Sequence, residues 1–167
     1  LLLDPTNARA RDSVRRFCIE LGRWDAFEAF YERDKNWAEC ARQLETLAGN
    51  AKDDATRVDL SFRTARILID RLDSADRATK SLERVLSVDP ENVEAARLLA
   101  PVYEKRKDLP ALAAATEILL RAAKDADSRF SLRVRLAEIA DQSRDPATAF
   151  GWYAQALDEA PGHEEVL

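Results

Sequence analysis

Apolar residues recur at intervals of three and four positions along most of this chain, which is typical of amphipathic helices. The pattern is clearest between Ala55 and Lys107, where it runs through two segments, stops at 89–92 and starts again. The apolar positions are Phe62, Ala65, Ile69, Ala78 and Leu82 before the stop, and Ala96, Leu99, Ala100 and Tyr103 after it. Small and large residues mix in this way where helices pack antiparallel, so the stretch predicts a helical hairpin followed by the start of another.

Helix start and stop signals extend this pattern over the whole chain. Capping residues, prolines in first helical turns and glycines past helix ends divide it into about nine helices. The predicted segments run approximately over 7–21, 24–33, 36–49, 54–71, 74–88, 92–107, 109–125, 127–143 and 146–159. Pro101 lies inside the sixth of these helices, so we expect a kink there. No segment shows the alternation of a strand, and the predicted fold class is therefore all-α.

The first fifty residues carry an apolar stripe and one open question. The stripe consists of Ala10, Val14, Phe17 and Leu21, at the spacing of a helix that faces a core, and Gly22 ends it. Residues 24–49 are interpreted as two helices, because Asn36 followed by Glu39 resembles a capping box. One continuous helix is the alternative, since residues 34–36 contain neither proline nor glycine.

The sequence also repeats itself. Shifting it by 72 residues places Ala51-Lys52-Asp53 on Ala123-Lys124-Asp125. Further matches are Arg57, Leu60, Arg63, Ala65 and Ile67 with Arg129, Leu132, Arg135, Ala137 and Ile139, and, after one deletion, Ala78 and Pro90 with Ala149 and Pro161. A repeat with two hairpins in each period indicates an array of stacked units.

This repeat resembles the tetratricopeptide repeat family, whose units of about 34 residues each form a helical hairpin. The residues that carry the resemblance are Phe62, Ala65, Ile69, Ala78, Leu82 and Pro90, then Ala96, Leu99, Ala100, Tyr103 and Leu112, then Val134, Ala137, Ala149, Tyr153 and Pro161. The resemblance implies a right-handed superhelical array of antiparallel helix pairs with a concave inner face. HEAT-type and other α-solenoids share the same stacking physics.

On this interpretation residues 1–167 form one helical repeat domain, a piece of a longer protein. Residues 1–35 would be a divergent first hairpin, and 36–90, 91–125 and 127–161 would be recognisable repeats. Residues 162–167 would begin a truncated one. The sequence contains no methionine, which agrees with a piece of a longer chain.

Composition excludes several classes of partner. The chain is 46% hydrophobic and 34% charged, with a net charge of -5, as expected of a folded protein. The excess of acid lies after Ala126, where four basic residues face eight acidic ones, and no basic cluster suits a nucleic acid. No apolar run approaches the roughly 20 residues that span a bilayer. We therefore expect a soluble chain with no nucleic-acid or membrane partner, cytoplasmic by default.

Residues suited to catalysis or metal binding are sparse. Cys18 and Cys40 lie among apolar neighbours, which favours two buried thiols over a disulfide. Two cysteines with no histidine nearby do not make a zinc site. His163 is the sole histidine, and the four glycines are too scattered for a phosphate-binding loop. We expect no enzyme activity, no cofactor and no bound metal.

The resemblance assigns candidate binding residues to the concave face. Its inward positions hold Arg63, Arg97 and Arg135 on three successive hairpins, with Leu60 and Leu132 as apolar contacts. Arginine matches carboxylate geometry, so such a row would suit an acidic peptide or a chain terminus. The alternative is pairing along one helix, of Asp59 with Arg63, Glu94 with Arg97, and Arg135 with Glu138.

The aromatic residues near the N-terminus form a second candidate. Trp24, Phe30 and Tyr31 belong to a group that also contains Phe27 and Trp37. Core packing is the simpler interpretation, and an exposed subset would form a docking patch. The sequence thus favours a noncatalytic scaffold that binds a protein segment in its groove. The alternative is a structural spacer or self-associating segment of a longer helical array.

Overall fold

The computed structural model describes residues 8–159, which form nine α-helices and one short π-helical segment. The helices are α1 (Ala8–Glu20), α2 (Trp24–Arg33), α3 (Trp37–Asn50), α4 (Asp54–Arg66), α5 (Ala75–Val88), α6 (Val93–Arg106), α7 (Leu109–Ala122), α8 (Ala126–Gln142) and α9 (Pro146–Glu159). The π segment, Ile67–Arg71, continues α4 directly. Residues 8–159 contain no strand, so the all-α prediction is confirmed. The helix predicted to begin within 162–167 lies outside the described residues.

Residues 24–49 form two helices rather than one. Lys35 interrupts the helical path by adopting a positive φ of 52°, the left-handed conformation that ends a helix. Asn36 then caps α3, because its side chain accepts a hydrogen bond from the Glu39 amide at 3.3 Å. The cap signal at Asn36 therefore identified the break, although no proline or glycine marks it.

Side-chain caps begin most of the helices. An Asn or Asp oxygen accepts the amide hydrogen three residues later, satisfying a donor that has no partner inside the helix. The capping residues are Asn36, Asp53, Asn92, Asp108, Asp125 and Asp145. The start of α5 differs, because Ser74 makes no side-chain cap and its hydroxyl donates to the Leu72 carbonyl at 2.9 Å.

Consecutive helices pack together, so each hairpin is covered by the next one along the chain. The hairpins are α2–α3, α4–α5, α6–α7 and α8–α9, and α1 precedes the first. The largest fully buried side chains are Phe27, Leu44, Leu60, Leu82 and Leu99, which come from five successive helices, α2 to α6. One continuous core therefore follows the direction of stacking, as in a helical repeat array.

The stripe predicted for α1 exists but is not buried. Val14, Phe17 and Leu21 are 48%, 51% and 70% exposed, whereas Cys18 is the buried residue of this helix. The reason is that α1 packs on α2 along one side, and no described helix covers the side that carries the stripe. The periodicity correctly predicted a helix with an apolar face, but it does not show whether a neighbouring helix covers that face.

Pro101 is accommodated inside α6, which runs from Val93 to Arg106. The helix ends at Lys107, whose positive φ of 56° closes it. Pro101 has no N–H, so the Arg97 carbonyl lacks the donor that position 101 would normally supply. None of the helices between residues 8 and 159 has the length and apolarity needed to cross a bilayer.

Both cysteines are free and buried, as the sequence favoured. Cys40 belongs to α3 and faces the core, with no exposed surface. Burial raises the pKa of its thiol to about 12, and the nearby carboxylates of Glu28 and Glu39 act in the same direction. A protonated thiol is a poor nucleophile, so Cys40 is a structural residue of the core.

Replacing Asn92 by alanine should destabilise the protein. Asn92 accepts from the Ala95 amide at 3.0 Å and donates to Asp89 at 2.8 Å, and alanine removes both bonds. We expect the free energy of unfolding to fall by about 1 kcal/mol, measured by urea denaturation. Asn92→Ser, which retains a capping oxygen, is the control and should lose less. Equal losses in the two variants would contradict a capping role.

The aspartate caps also predict a response to acid. Hydrogen bonds from the Thr56 and Ser128 amides lower the pKa of Asp53 and Asp125 below the ordinary value of 3.8. Their charged form therefore stabilises the fold above that value, and the stabilisation is lost as the pH falls through the lowered pKa. A double variant with Asn at both positions keeps neutral caps. Between neutral pH and about pH 3 its urea midpoint should decline less steeply than that of the wild type. Parallel declines would contradict the argument.

Candidate binding cleft between α4 and α6

The helices α2, α4, α6 and α8 are joined side by side through ion pairs. Arg63 of α4 contacts Asp25 and Glu28 of α2, each at 2.7 Å. Arg66 of α4 reaches Glu94 of α6 at 2.8 Å, and Arg135 of α8 pairs with Glu104 of α6. These four helices therefore share one surface of the array, which we call the even-helix surface.

Arg63, predicted to bind a partner, is occupied by the protein itself. In addition to Asp25 and Glu28, it contacts Asp59 of its own helix at 3.1 Å, as the alternative interpretation expected. Partial burial lowers the pKa of Arg63, but hydrogen bonds to these three carboxylates outweigh that effect and raise it overall. Its side chain is only 24% exposed. Arg63 thus ties the first two hairpins together.

The other two predicted arginines differ from each other. Arg135 contacts Glu138 at 2.9 Å within α8, besides Glu104. Arg97 is exposed, and no carboxylate of the described residues pairs with it, because Glu94 turns to Arg66 instead. The three arginines therefore do not form a uniform row of free cations. Arg97 is the member with an available guanidinium group.

The two leucines predicted as contact residues, Leu60 and Leu132, differ in burial. Leu60 is 1% exposed and belongs to the core, so it offers no surface to a partner, and its assignment as a contact residue was wrong. It faces inward because α4 is covered by both α3 and α5. Leu132 of α8 is half-buried and remains at the surface.

The aromatic group is mainly a packing cluster. Phe27 and Tyr31 are 0% and 4% exposed, with ring centroids 5.1 Å apart. Tyr31 is therefore not part of a docking patch, because it is buried where α2 packs against its neighbours. Trp24 and Phe30 are half-buried, and the guanidinium of Arg11 lies 4.8 Å from the Phe30 ring centroid. Core packing thus accounts for most of the group.

A cleft of about 460 Å³ opens between the π segment that continues α4, the start of α5, and α6. Its apolar wall consists of Ile69 from the π segment and Leu98, Pro101 and Val102 from α6. Arg97, which forms no ion pair among the described residues, stands at its edge. The cleft therefore places an apolar wall beside an available cation.

The π segment shapes one side of this cleft. Its wider turn is closed by a 2.7 Å hydrogen bond from the Ser74 amide to the Leu68 carbonyl, and Asp73 between them has a positive φ of 46°. The α4 and π segments together span 18 residues, whereas the equivalent helix α8 has 17. The extra residue is thus taken up in the widened turn, which places Ile69 in the wall of the cleft.

The α6 side of the cleft carries the second irregularity. Pro101 lies in the wall, and the carbonyl without its usual donor belongs to Arg97. The Arg97 guanidinium is the donor group at the edge of this side of the cleft. Two departures from regular helix geometry, the π turn and Pro101, therefore lie at this cleft. Such departures cluster at functional sites.

Charges around the cleft are otherwise neutralised or acidic. Lys105 and Arg106 both contact Asp76, at 3.7 Å and 3.1 Å. Asp73 is exposed at the turn. A ligand at this cleft would meet a cationic group on the Arg97 side and a carboxylate on the turn side. This polarity gives a bound segment a preferred direction.

The neighbouring clefts suit a ligand less well. A cleft of about 600 Å³ between α1 and α3 is lined by Arg15 and Arg16, but these contact Asp12 and Glu20 of their own helix. A third cleft of about 330 Å³ contains Arg11, which pairs with Asp34. Their arginines therefore already have acidic partners, unlike Arg97.

The described part of the chain has little that would support catalysis. Residues 8–159 hold no cluster of histidine, cysteine and carboxylate side chains arranged for a metal ion. Burial and the charge of Glu83 raise the pKa of Tyr103 to about 12, so its hydroxyl stays protonated and donates to Glu83 at 3.1 Å. His163 lies outside the described residues.

Comparison with known proteins adds no assignment. No protein-family model and no curated protein matches this chain. Of the cleft residues, sequence reasoning had singled out Arg97 and Pro101, the latter only as a kink. It did not assign Asp73 or Ile69 to a site. The one-residue deletion between the repeats indicates an extra residue between Ile67 and Ala78, but it does not show that a helical turn widens there.

Arg63 and Arg97 should respond differently to the same substitution. Arg63→Gln removes contacts that join two hairpins, so the free energy of unfolding should fall by about 1 kcal/mol. Arg97→Gln removes no described ion pair and should change it by less than about 0.5 kcal/mol. Urea denaturation of both variants measures the difference. A loss at Arg97 equal to that at Arg63 would show that Arg97 is also structural.

Proposed function

We propose that this chain is a noncatalytic protein-interaction scaffold of the tetratricopeptide type, which binds a segment of a partner protein along its even-helix surface. The observation that carries the proposal is the cleft between α4 and α6, where the unpaired Arg97 stands beside an apolar wall. The other predicted arginines, Arg63 and Arg135, hold the hairpins in place and so preorganise this surface. Preorganisation lowers the entropy cost of binding.

The chemistry of the cleft describes the segment that fits. A large apolar side chain would pack against Ile69 and Leu98, and a carboxylate next to it would bind the Arg97 guanidinium. The cleft volume falls within the range typical of ligand sites. The expected ligand is thus an acidic segment with an apolar anchor.

The absence of an enzyme function is part of the same proposal. The titratable groups with raised pKa values, such as Cys40 and Tyr103, are held protonated in or near the core. Catalytic sites instead place a group with a tuned pKa beside a partner and a substrate pocket. The described residues that line the cleft contain no histidine or cysteine.

A self-associating segment of a longer helical array is the second candidate. One observation favours it, namely the exposed apolar side chains Val14, Phe17 and Leu21 on α1 and Phe150 on α9. They lie on the first and last described helices, away from the cleft. The two candidates are therefore compatible and use different surfaces.

The scaffold proposal predicts which peptides the chain selects. A random peptide library displayed against the immobilised protein should enrich sequences that combine a large apolar residue with Asp or Glu. In fluorescence anisotropy, Arg97→Gln should weaken binding of an enriched peptide about tenfold, since a hydrogen bond to a charged group contributes about 1.5 kcal/mol or more. Leu98→Ala should weaken it through the loss of apolar contact.

Arg9→Gln is the matched control. Arg9 is an exposed arginine of α1, a helix that does not belong to the even-helix surface, and its replacement makes the same change of charge. Circular dichroism of all variants checks that they fold equally. Failure to enrich any peptide, or equal weakening by Arg9→Gln and Arg97→Gln, would contradict the proposal.

A further inference from the structure

The large apolar side chains that are well exposed lie at the two ends of the described array. Among residues 8–159 they are Val14, Phe17 and Leu21 at α1, and Phe150 on α9. Phe150 is 75% exposed, the highest value of the four. Exposed apolar surface is therefore confined to the helices that lack a neighbour on one side.

Position 150 has counterparts that are covered in other hairpins. It is the fifth residue after the cap residue of α9, and the same position is Ala41 in α3, Thr79 in α5 and Ala113 in α7. All three are small; Ala41 and Thr79 are 2% and 4% exposed, and Ala113 is half-buried. All three helices pack against the first helix of the following hairpin. The last described hairpin thus exposes a phenylalanine where the inner hairpins cover a small residue wholly or partly.

Ion pairs between consecutive hairpins run in one direction. The later hairpin supplies the base and the earlier one the acid in Arg63–Asp25, Arg63–Glu28, Arg71–Glu32, Lys80–Glu45, Lys105–Asp76, Arg106–Asp76 and Arg135–Glu104. Among the described residues there are two exceptions, in which the earlier element supplies the base: Arg66–Glu94, and Arg11–Asp34 between α1 and the first hairpin. The side of a hairpin that contacts the preceding hairpin therefore supplies mainly basic residues. The side that contacts the following hairpin supplies mainly acidic residues.

The first helix and the last hairpin of the described residues continue this polarity. Helix α1 has four arginines and two acidic residues, and the last hairpin, 126–159, has four arginines and six acidic residues. We call α1 the head and the α8–α9 hairpin the tail. The head is net positive and the tail is net negative, so a head attracts a tail and repels another head.

We propose that copies of this chain associate head to tail, with Val14, Phe17 and Leu21 of one copy packing against Phe150 of the next. The contact repeats between molecules the stacking that already joins hairpins within one molecule. It covers both exposed apolar faces and pairs ends of opposite charge. Because the two faces differ, the contact is heterologous and leaves a free head and a free tail for further copies.

Sedimentation velocity over a wide range of protein concentration tests this proposal. The wild-type chain should sediment faster as its concentration rises, and added salt should weaken the association. Phe17→Gln and Phe150→Gln should each raise the dissociation constant by about tenfold or more, since truncating a buried anchor typically costs over 1 kcal/mol. Ala114→Gln, which introduces the same residue at an exposed position of α7, should leave association unchanged.

Mixing the two phenylalanine variants distinguishes the geometry. Phe17→Gln has an intact tail and Phe150→Gln has an intact head, so their mixture should form one-to-one complexes and nothing longer. A wild-type chain that remains monomeric at all concentrations would overturn the proposal. So would association that is lost in Phe17→Gln, kept in Phe150→Gln and not restored by mixing, because that pattern identifies a head-to-head contact.

Discussion

The architecture depends on one constraint, which is that no hairpin of this chain can cover its own apolar residues. Each helix has two sides to bury, and its hairpin partner covers one of them. The large core residues Phe27, Leu44, Leu60, Leu82 and Leu99 follow one another along successive helices, so burial is a matter of neighbours in sequence. The same constraint explains why α1, which has a described neighbour on one side, exposes its stripe.

Charge adds direction to this stacking. Apolar packing alone is indifferent to which end of the array a hairpin occupies, but ion pairs such as Arg63–Glu28 and Arg106–Asp76 favour one order. They also immobilise most of the arginines along the even-helix surface. Arg97 stands apart because its expected partner Glu94 binds Arg66. The proposed binding residue, Arg97, is thus an arginine that the ion pairs within the protein leave without a carboxylate partner.

Most of the fold was predictable, because helix caps and helical periodicity act over a few neighbouring residues. Contacts between residues distant in sequence were not predictable. Caps such as Asn36 and Asp145 located helix starts because they act within three residues. The pairs Asp59–Arg63 and Arg135–Glu138 were predictable for the same reason. The partners of Arg63 in α2 lie about one repeat away, and spacing along a helix cannot identify them. Periodicity likewise reveals that a face is apolar, as at Phe17, without revealing whether a neighbour covers it.

The π segment shows how an array can gain a residue without losing its order. The 72-residue repeat shortens by one position between α4 and the end of α5, and the widened turn at Ile67–Arg71 occupies that place. Helix α4 begins at the same cap as α8, and α5 resumes in step with α9, so an insertion is absorbed within a single turn. The neighbouring hairpins keep their register. Duplicated units can therefore diverge by one-residue insertions, and each insertion reshapes the local surface while the stack stays intact.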